Sequence, residues 1–132
     1  MLSKILITLC VLLYAVGSPM IEVNATHVFN PDWTPHVRIH EVWQLITNSC
    51  LGVIALWLVW IEKRVIFGAL LSITVMASFL VAYALRGFYG GAMQFANGSE
   101  NMLFGINFGL FVATTVVGIL VLAIYLEWRR VK

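Results

Sequence analysis

Charged residues are scarce in this chain of 132 residues, and their scarcity limits the class of protein. Asp, Glu, Lys and Arg make up 11% of the sequence and hydrophobic residues make up 61%. A typical soluble domain, by contrast, has about 25% charged residues. A water-soluble fold of this length could not bury so much apolar surface. The composition therefore predicts that the lipid bilayer is the solvent.

The net charge is also small, and cysteines are few. The formal net charge is only +2, which gives no electrostatic footprint for binding nucleic acid. The two cysteines, Cys10 and Cys50, fall in apolar runs and form neither a Cys-X-X-Cys motif nor a Cys/His zinc pattern. We interpret both as buried small apolar side chains. A disulfide between them would require two helices to place them at the same depth.

Long apolar runs, in contrast, are abundant. A helix needs about 20 residues to cross a bilayer, and four runs reach or approach that length: residues 5–21, 42–61, 65–85 and 102–126. The longest gaps between them, 22–41 and 86–101, leave no room for a soluble domain. We therefore expect an all-α fold, in which residues 1–132 form one integral membrane four-helix bundle with short outer loops.

The basic residues predict how such a bundle lies in the membrane. With four alternating spans, Arg38 and Arg86 fall on one side and six basic residues on the other: Lys4, Lys63, Arg64, Arg129, Arg130 and Lys132. Positive charge favours the cytoplasm, so both termini are expected to be cytoplasmic. One alternative stays open, because Lys4, the first apolar run and the small residues at 15–17 also fit a cleaved signal peptide.

Polar chemistry is concentrated in residues 24–41, NATHVFNPDWTPHVRIHE. Thr34 followed by Pro35 favours a helix start, since a hydroxyl can cap free N–H groups and proline suits the first helical position. The second helix is therefore predicted to begin near residue 35, before its apolar part. Its first turns then carry two histidines, an arginine and a glutamate.

Helical spacing places part of this chemistry on one face. His36, His40 and Gln44 are four residues apart and share a side of the helix, and Thr47 and Asn48 extend that polar stripe toward the membrane. Polar groups do not face lipid at this depth without cost. We therefore expect the stripe to face the inside of the bundle.

The other helices carry polar residues at a similar depth, among them Arg86 and Asn107. Together with the stripe they are predicted to form a polar cup that opens outward, above an inner half that is almost wholly apolar. The candidate ligand-binding residues of this cup are His36, Arg38, His40, Glu41, Gln44, Asn48, Arg86 and Asn107. The asymmetry argues against a pore that runs through the membrane.

The motif NATHVFNPDWTPHVRIHEVW resembles a segment of small, uncharacterised bacterial four-span membrane proteins that are loosely DoxX-like. Their signature is N-A-T-H-x-F-N-P-x-W-x-P-H-x-R-x-H, and the matching positions here are Asn24, His27, Asn30, Pro31, Trp33, Pro35, His36, Arg38 and His40. The resemblance implies a helical bundle in the bacterial inner (plasma) membrane, in some cases associated with redox or quinone systems. It supplies no catalytic mechanism.

Three functional hypotheses follow from the residues. The first is a pocket for a lipid-like or quinone-like molecule, in which His40, the deepest histidine, is the best candidate for a catalytic group. The second is a divalent metal site formed by His27, His36 and His40, because histidines at i and i+4 can share one metal. Whether the protein is an enzyme stays open.

The third hypothesis is an accessory or structural subunit of a membrane complex. In that case Arg38 with Glu41, and Glu22 with Arg86, would form ion pairs at the outer end. Gly105 and Gly109 form a GxxxG pattern that permits close contact between helices; we interpret it as packing within the monomer, with a homodimer as the alternative.

Overall fold

The computed structural model describes residues 1–95 and 98–132 of the chain. Its elements in chain order are α1 (Leu2–Leu12), a π-helical turn (Leu13–Gly17), α2 (Ser18–Glu22), α3 (Pro35–Trp60), α4 (Val65–Tyr89), β1 (Met102–Leu103), β2 (Ile106–Asn107) and α5 (Phe108–Val131). The first three elements run on as one helical span. The four spans are each long and apolar enough to cross a membrane. The predicted all-α, four-helix architecture is confirmed.

The helices begin and end where local chemistry allows. Thr34 accepts a hydrogen bond from the Val37 N–H at 3.3 Å, and Pro35 occupies the first helical position of α3, as predicted from the sequence. α4 ends at Gly90, which adopts the left-handed conformation (φ 72°) that glycine tolerates best. Asn107 caps α5 by accepting from the Leu110 N–H at 3.2 Å.

The start of the fourth span differs from the prediction. The apolar run begins at Met102, but residues Met102–Asn107 form a small antiparallel hairpin, and helix α5 begins only at Phe108. The cause is the hairpin turn, where Phe104 (φ 52°) and Gly105 (φ 77°) both have positive φ. Two consecutive residues in this conformation fit a tight hairpin turn and not a helix.

The four spans form a ring in which α3 and α5 occupy opposite corners. The first span packs against α5, α3 and α4, and α4 packs against both α3 and α5. We call the end that carries Met1, residues 61–64 and Lys132 the terminal end. The opposite end, with residues 23–34 and 90–107, is the loop end.

The core is concentrated in the middle of the bundle and toward the terminal end. In α4 the buried residues all lie in the first eight positions: Val65, Gly68, Ala69 and Ser72. They meet a cluster from the other spans: Ile7, Cys10, Val11, Tyr14, Ala15, Ala55, Val59, Val116, Leu120 and Ala123. The helices therefore pack closely at one end and leave more surface open at the other. The first span is an integral part of this core.

The two cysteines have different environments. Cys10 is buried as predicted, whereas Cys50 is exposed, and both thiols are free. Cys50 was predicted to be buried because it lies in an apolar run. In the structure it lies on the exposed side of α3, where it borders a groove that is also lined by Pro19 and Val23.

The π-helical turn in the first span ends close to Pro19. Proline has no N–H, so Pro19 cannot donate to the carbonyl of Ala15, four residues before it. Ser49 of α3 donates its hydroxyl to this carbonyl at 2.7 Å instead. A side chain of the neighbouring helix thus satisfies a backbone acceptor that the proline leaves open.

Replacing Ser49 by alanine is expected to lower the free energy of unfolding by about 0.6 kcal/mol, the usual value of a hydrogen bond between membrane helices. The measurement is reversible unfolding in mixed detergent micelles. Thr74→Ala is a matched control, because the Thr74 hydroxyl bonds only the Leu70 carbonyl of its own helix. An equal loss in both variants would contradict the role given to Ser49.

Polar groups also occur at the terminal end, where the sequence predicted an almost wholly apolar region. Ser3 donates a hydrogen bond to the carboxylate of Glu127, which is buried, and Arg130 lies 3.4 Å from the other carboxylate oxygen. This contact joins the first and last helices. The hydroxyl of Tyr14 and that of Ser72, 3.2 Å apart, form a second buried polar contact deeper in the core.

Candidate functional site

The polar stripe of α3 forms as the spacing predicts. The Nε2 atoms of His36 and His40 are 3.1 Å apart, and the rings meet edge to face with centroids separated by 4.6 Å. One turn further, the ring of Trp43 lies 5.9 Å from that of His40. Two imidazoles and an indole therefore form a continuous aromatic surface at the loop end of α3.

Below this surface the stripe lines an open cleft of about 360 Å³. Its walls are His40, Trp43, Gln44, Thr47 and Asn48, which all belong to α3. The lining combines the indole of Trp43 with a few polar side chains, as is usual for a site that binds small molecules. We call this region the α3 cleft.

The expectation that the stripe faces the inside of the bundle is wrong for most of its members. His36, His40, Gln44 and Thr47 are exposed, and Asn48 is half-buried. The reason is that α3 turns a different face inward, the one formed by Leu45, Gly52, Ala55 and Val59. Small residues on that face allow close contact with the neighbouring helices, so the polar residues point outward.

Arg86 and Asn107 lie apart from the α3 cleft. The Arg86 guanidinium donates to the Tyr83 carbonyl of its own helix at 2.9 Å and stacks 4.0 Å from the Tyr83 ring. Asn107 is buried at the start of α5, where it donates to Glu100 at 2.8 Å in addition to its capping role. Since neither lines the cleft, the candidate residues do not form a single cup.

Arg38 and Glu41 sit on the loop side of the stripe. Arg38 donates to the Asn30 carbonyl at 2.8 Å, while its Nε is buried and has no hydrogen-bond partner among the residues that the structure describes. Glu41 is half-buried, and its carboxylate is near enough to that of Glu22 to repel it. The expected ion pairs of Arg38 with Glu41 and of Glu22 with Arg86 are absent from the described residues, whose ion pairs are His27–Glu22 and Arg130–Glu127.

His27 belongs to the loop at residues 23–34 and has partners of its own. Its Nε2 lies 2.9 Å from the Glu22 carboxylate, and its Nδ1 lies 2.9 Å from the Thr26 hydroxyl. The rings of Trp33 and Phe95 each meet the imidazole edge-on at 6.0 Å. His27 therefore fixes the loop against the end of the first span.

A three-histidine metal site is not assembled in the part of the chain that the structure describes. His36 and His40 are adjacent, but His27 is held by Glu22. No group of three His, Cys, Asp or Glu side chains at residues 1–95 and 98–132 is close enough to hold a metal ion.

The glycine pattern does not form a helix face. Gly105 lies in the hairpin turn before α5 begins, whereas Gly109 is in the first turn of the helix. A Cβ at Gly109 would meet Asn107, Met93 and Phe79 of the same chain. The expectation that Gly105 and Gly109 share a helix face is therefore wrong at Gly105, and Gly109 serves packing within the chain; a homodimer through these residues stays a prediction.

The fold and this surface define a small all-α membrane protein with four spans and a polar surface on one of them. Comparison with protein-family models, with curated proteins and with solved structures finds no match. The DoxX-like resemblance gains no support from these comparisons. What can be inferred about function therefore depends on the α3 cleft itself.

Proposed function

We propose that the protein binds a lipid-like or quinone-like amphipathic molecule in the α3 cleft. The observation that carries this proposal is a set of polar side chains exposed on the side of a membrane-spanning helix, beside an indole ring. Such groups are costly in contact with hydrocarbon alone. A bound molecule with a polar head and an apolar tail removes this cost and gains contacts of both kinds.

The side chains of the cleft suit a carbonyl or hydroxyl head. His40, Gln44 and Asn48 can each donate and accept hydrogen bonds, and they lie one helical turn apart along α3. Trp43 supplies an aromatic surface for a ring or for the first carbons of a tail. The cleft has walls on one helix only and does not enclose a long tail, so the tail stays among the surrounding lipids.

The distribution of Lys and Arg indicates on which side of the membrane the cleft lies. Residues 23–34 and 90–107 hold none of the basic residues, whereas the terminal end carries six of the eight. By the positive-inside rule both termini are cytoplasmic and the loop end is outside. The cleft then lies in the outer leaflet of the host membrane, and its ligand enters sideways from that leaflet.

The test uses the purified full chain in detergent with added ubiquinone analogues or phospholipids. A ligand that binds the cleft is expected to raise the melting temperature of the wild type. His40→Ala removes one hydrogen-bonding group, so the affinity should fall by about two- to tenfold while the unliganded protein melts almost as before.

His36→Ala is the matched control for this experiment. It removes the same kind of side chain one turn away, at a position that does not line the cleft, and is expected to keep most of the affinity. Equal weakening by both substitutions, or stabilisation that survives His40→Ala unchanged, would refute the assignment of His40.

One observation favours a second candidate function, an accessory subunit of a membrane complex. The cleft has walls from a single helix, so a helix of another protein could pack against the stripe. Native mass spectrometry of gently purified protein separates the two functions. A bound lipid or quinone supports the first, and a stable heteromeric partner supports the second.

A further inference from the structure

We infer that a second copy of this chain packs its α3 against α3 of the first and supplies the missing wall of the α3 cleft. The pairing of the helices is independent of the ligand, but the claim that the paired helices enclose a ligand rests on the proposed function.

The exposed side of α3 carries a seam with coiled-coil spacing. Steps of three and four residues connect six positions, all of them exposed: His40, Trp43, Thr47, Cys50, Ile54 and Trp57. This alternation keeps a row of side chains on one side of a helix over several turns and suits pairing with a second helix at a shallow crossing angle. The polar half of the seam lies toward the loop end and the apolar half toward the terminal end.

The orientation of membrane proteins makes this seam suited to self-association. Copies inserted with the same charge bias share one topology, so two α3 helices related by a two-fold axis run parallel and bring the same residues to the same depth. Such a contact needs side chains that complement themselves. Neutral histidine, threonine and glutamine each have both a donor and an acceptor.

Charge does not oppose this pairing. The seam residues include no Asp, Glu, Lys or Arg, so like charges do not meet across the two-fold axis. The one charged residue of this part of α3, Glu41, is half-buried and lies next to the first span. A second copy therefore fits the seam better than a partner with a charged transmembrane helix.

The α3 cleft lies along the same part of α3 as the seam. His40, Trp43 and Thr47 belong both to the seam and to the lining of the cleft, and Gln44 flanks the seam. Pairing along the seam places the second copy's residues opposite a cleft that otherwise has walls on one helix only. A head group bound there would contact both copies.

Cys50 provides a direct test in native membranes. It lies on the seam and is exposed, whereas the other cysteine is buried, so it is the one accessible thiol of the chain. Oxidation with copper phenanthroline is expected to join two chains through Cys50, because paired helices bring equivalent seam positions within the Cα separation of a disulfide, about 4.4–6.8 Å. Cys50→Ser should abolish this product.

A cysteine scan in the Cys50→Ser background shows which face makes the contact. Thr47→Cys and Ile54→Cys lie on the seam and should restore cross-linking. Val121→Cys and Leu122→Cys are matched controls, since both positions are exposed but belong to α5, at the opposite corner of the bundle from α3. Cross-linking of all four variants to the same extent, or of none, would overturn the inference.

The cross-linking result and the ligand result can fail separately. Cross-linking restricted to the seam without stabilisation by any quinone or phospholipid would retain the paired helices and remove the proposed function. Stabilisation that depends on His40, with no cross-linking on the seam, would retain the proposed function and remove the paired helices. If cross-linking on the seam and stabilisation by a ligand are both observed, the dimer cross-linked at Cys50 should bind that quinone or phospholipid at least as tightly as the uncross-linked protein does.

Discussion

Gly68→Ala should lower the free energy of unfolding, because the added methyl group has no room. A Cβ at this position would lie 2.6 Å from the Cγ2 of Val59 and 2.9 Å from the backbone carbonyl oxygen of Ala55. The valine can rotate, but the carbonyl belongs to α3 and cannot move without shifting the helix. Overpacking of this kind costs about 1–3 kcal/mol, and it should separate α3 from α4 at the end where the core is densest.

Gly118→Ala is the matched control for this prediction. Gly118 also lies inside a membrane helix, but a Cβ there would meet nothing within 4 Å, so the variant keeps the gain in helix propensity without the clash. Reversible unfolding of both variants in mixed micelles gives the comparison. If Gly68→Ala is as stable as Gly118→Ala, the close contact of α3 with α4 is not as described.

The helices of the fold were predictable because each signal is local. A run of about 20 apolar residues indicates a span, and Thr34 followed by Pro35 indicates where a helix begins. The prediction failed at the fourth span, where residues 102–106 are as apolar as the helix that follows. The hairpin there depends on backbone angles at Phe104 and Gly105, and the hydropathy of these residues does not reveal them.

The candidate site was predictable in part. Spacing alone shows that His36, His40 and Gln44 share a face of α3. It does not show which way that face points, because the direction depends on which other face packs best. Here Gly52 and Ala55 allow the closest approach to the neighbouring helices, so the polar face is turned outward.

The contact between Ser3 and Glu127 was not predictable from sequence at all. Glu127 lies among Tyr125, Trp128 and Arg129 near the end of the chain, which is typical of a helix end in contact with water and headgroups. Its partner is 124 positions away, and only the packing of the first helix against the last brings the two together. No local pattern contains that information.

Because the contact between Ser3 and Glu127 is buried, we expect a large loss of stability when it is removed. Ser3→Ala removes the hydroxyl that donates to the buried carboxylate of Glu127 and leaves that oxygen without its donor. An unsatisfied buried polar group costs about 1–3 kcal/mol, and more when it is charged. Ser78→Ala is the control, because Ser78 is exposed and bonds its own helix; its effect should stay within about 0.5 kcal/mol.

A double variant tests whether Ser3 and Glu127 act through each other. Replacing both partners, Ser3→Ala with Glu127→Leu, removes the buried charge together with its donor, so the protein should be more stable than Ser3→Ala alone. Arg130 then loses its partner, but at 61% exposure its side chain remains in contact with solvent. Losses that simply add in the double variant would show that the two residues act independently. Ser3 belongs to the first span, so Ser3→Ala can change the stability of the assembled protein only if this span is retained. An unchanged stability together with a shortened intact mass would mean that the span had been cleaved.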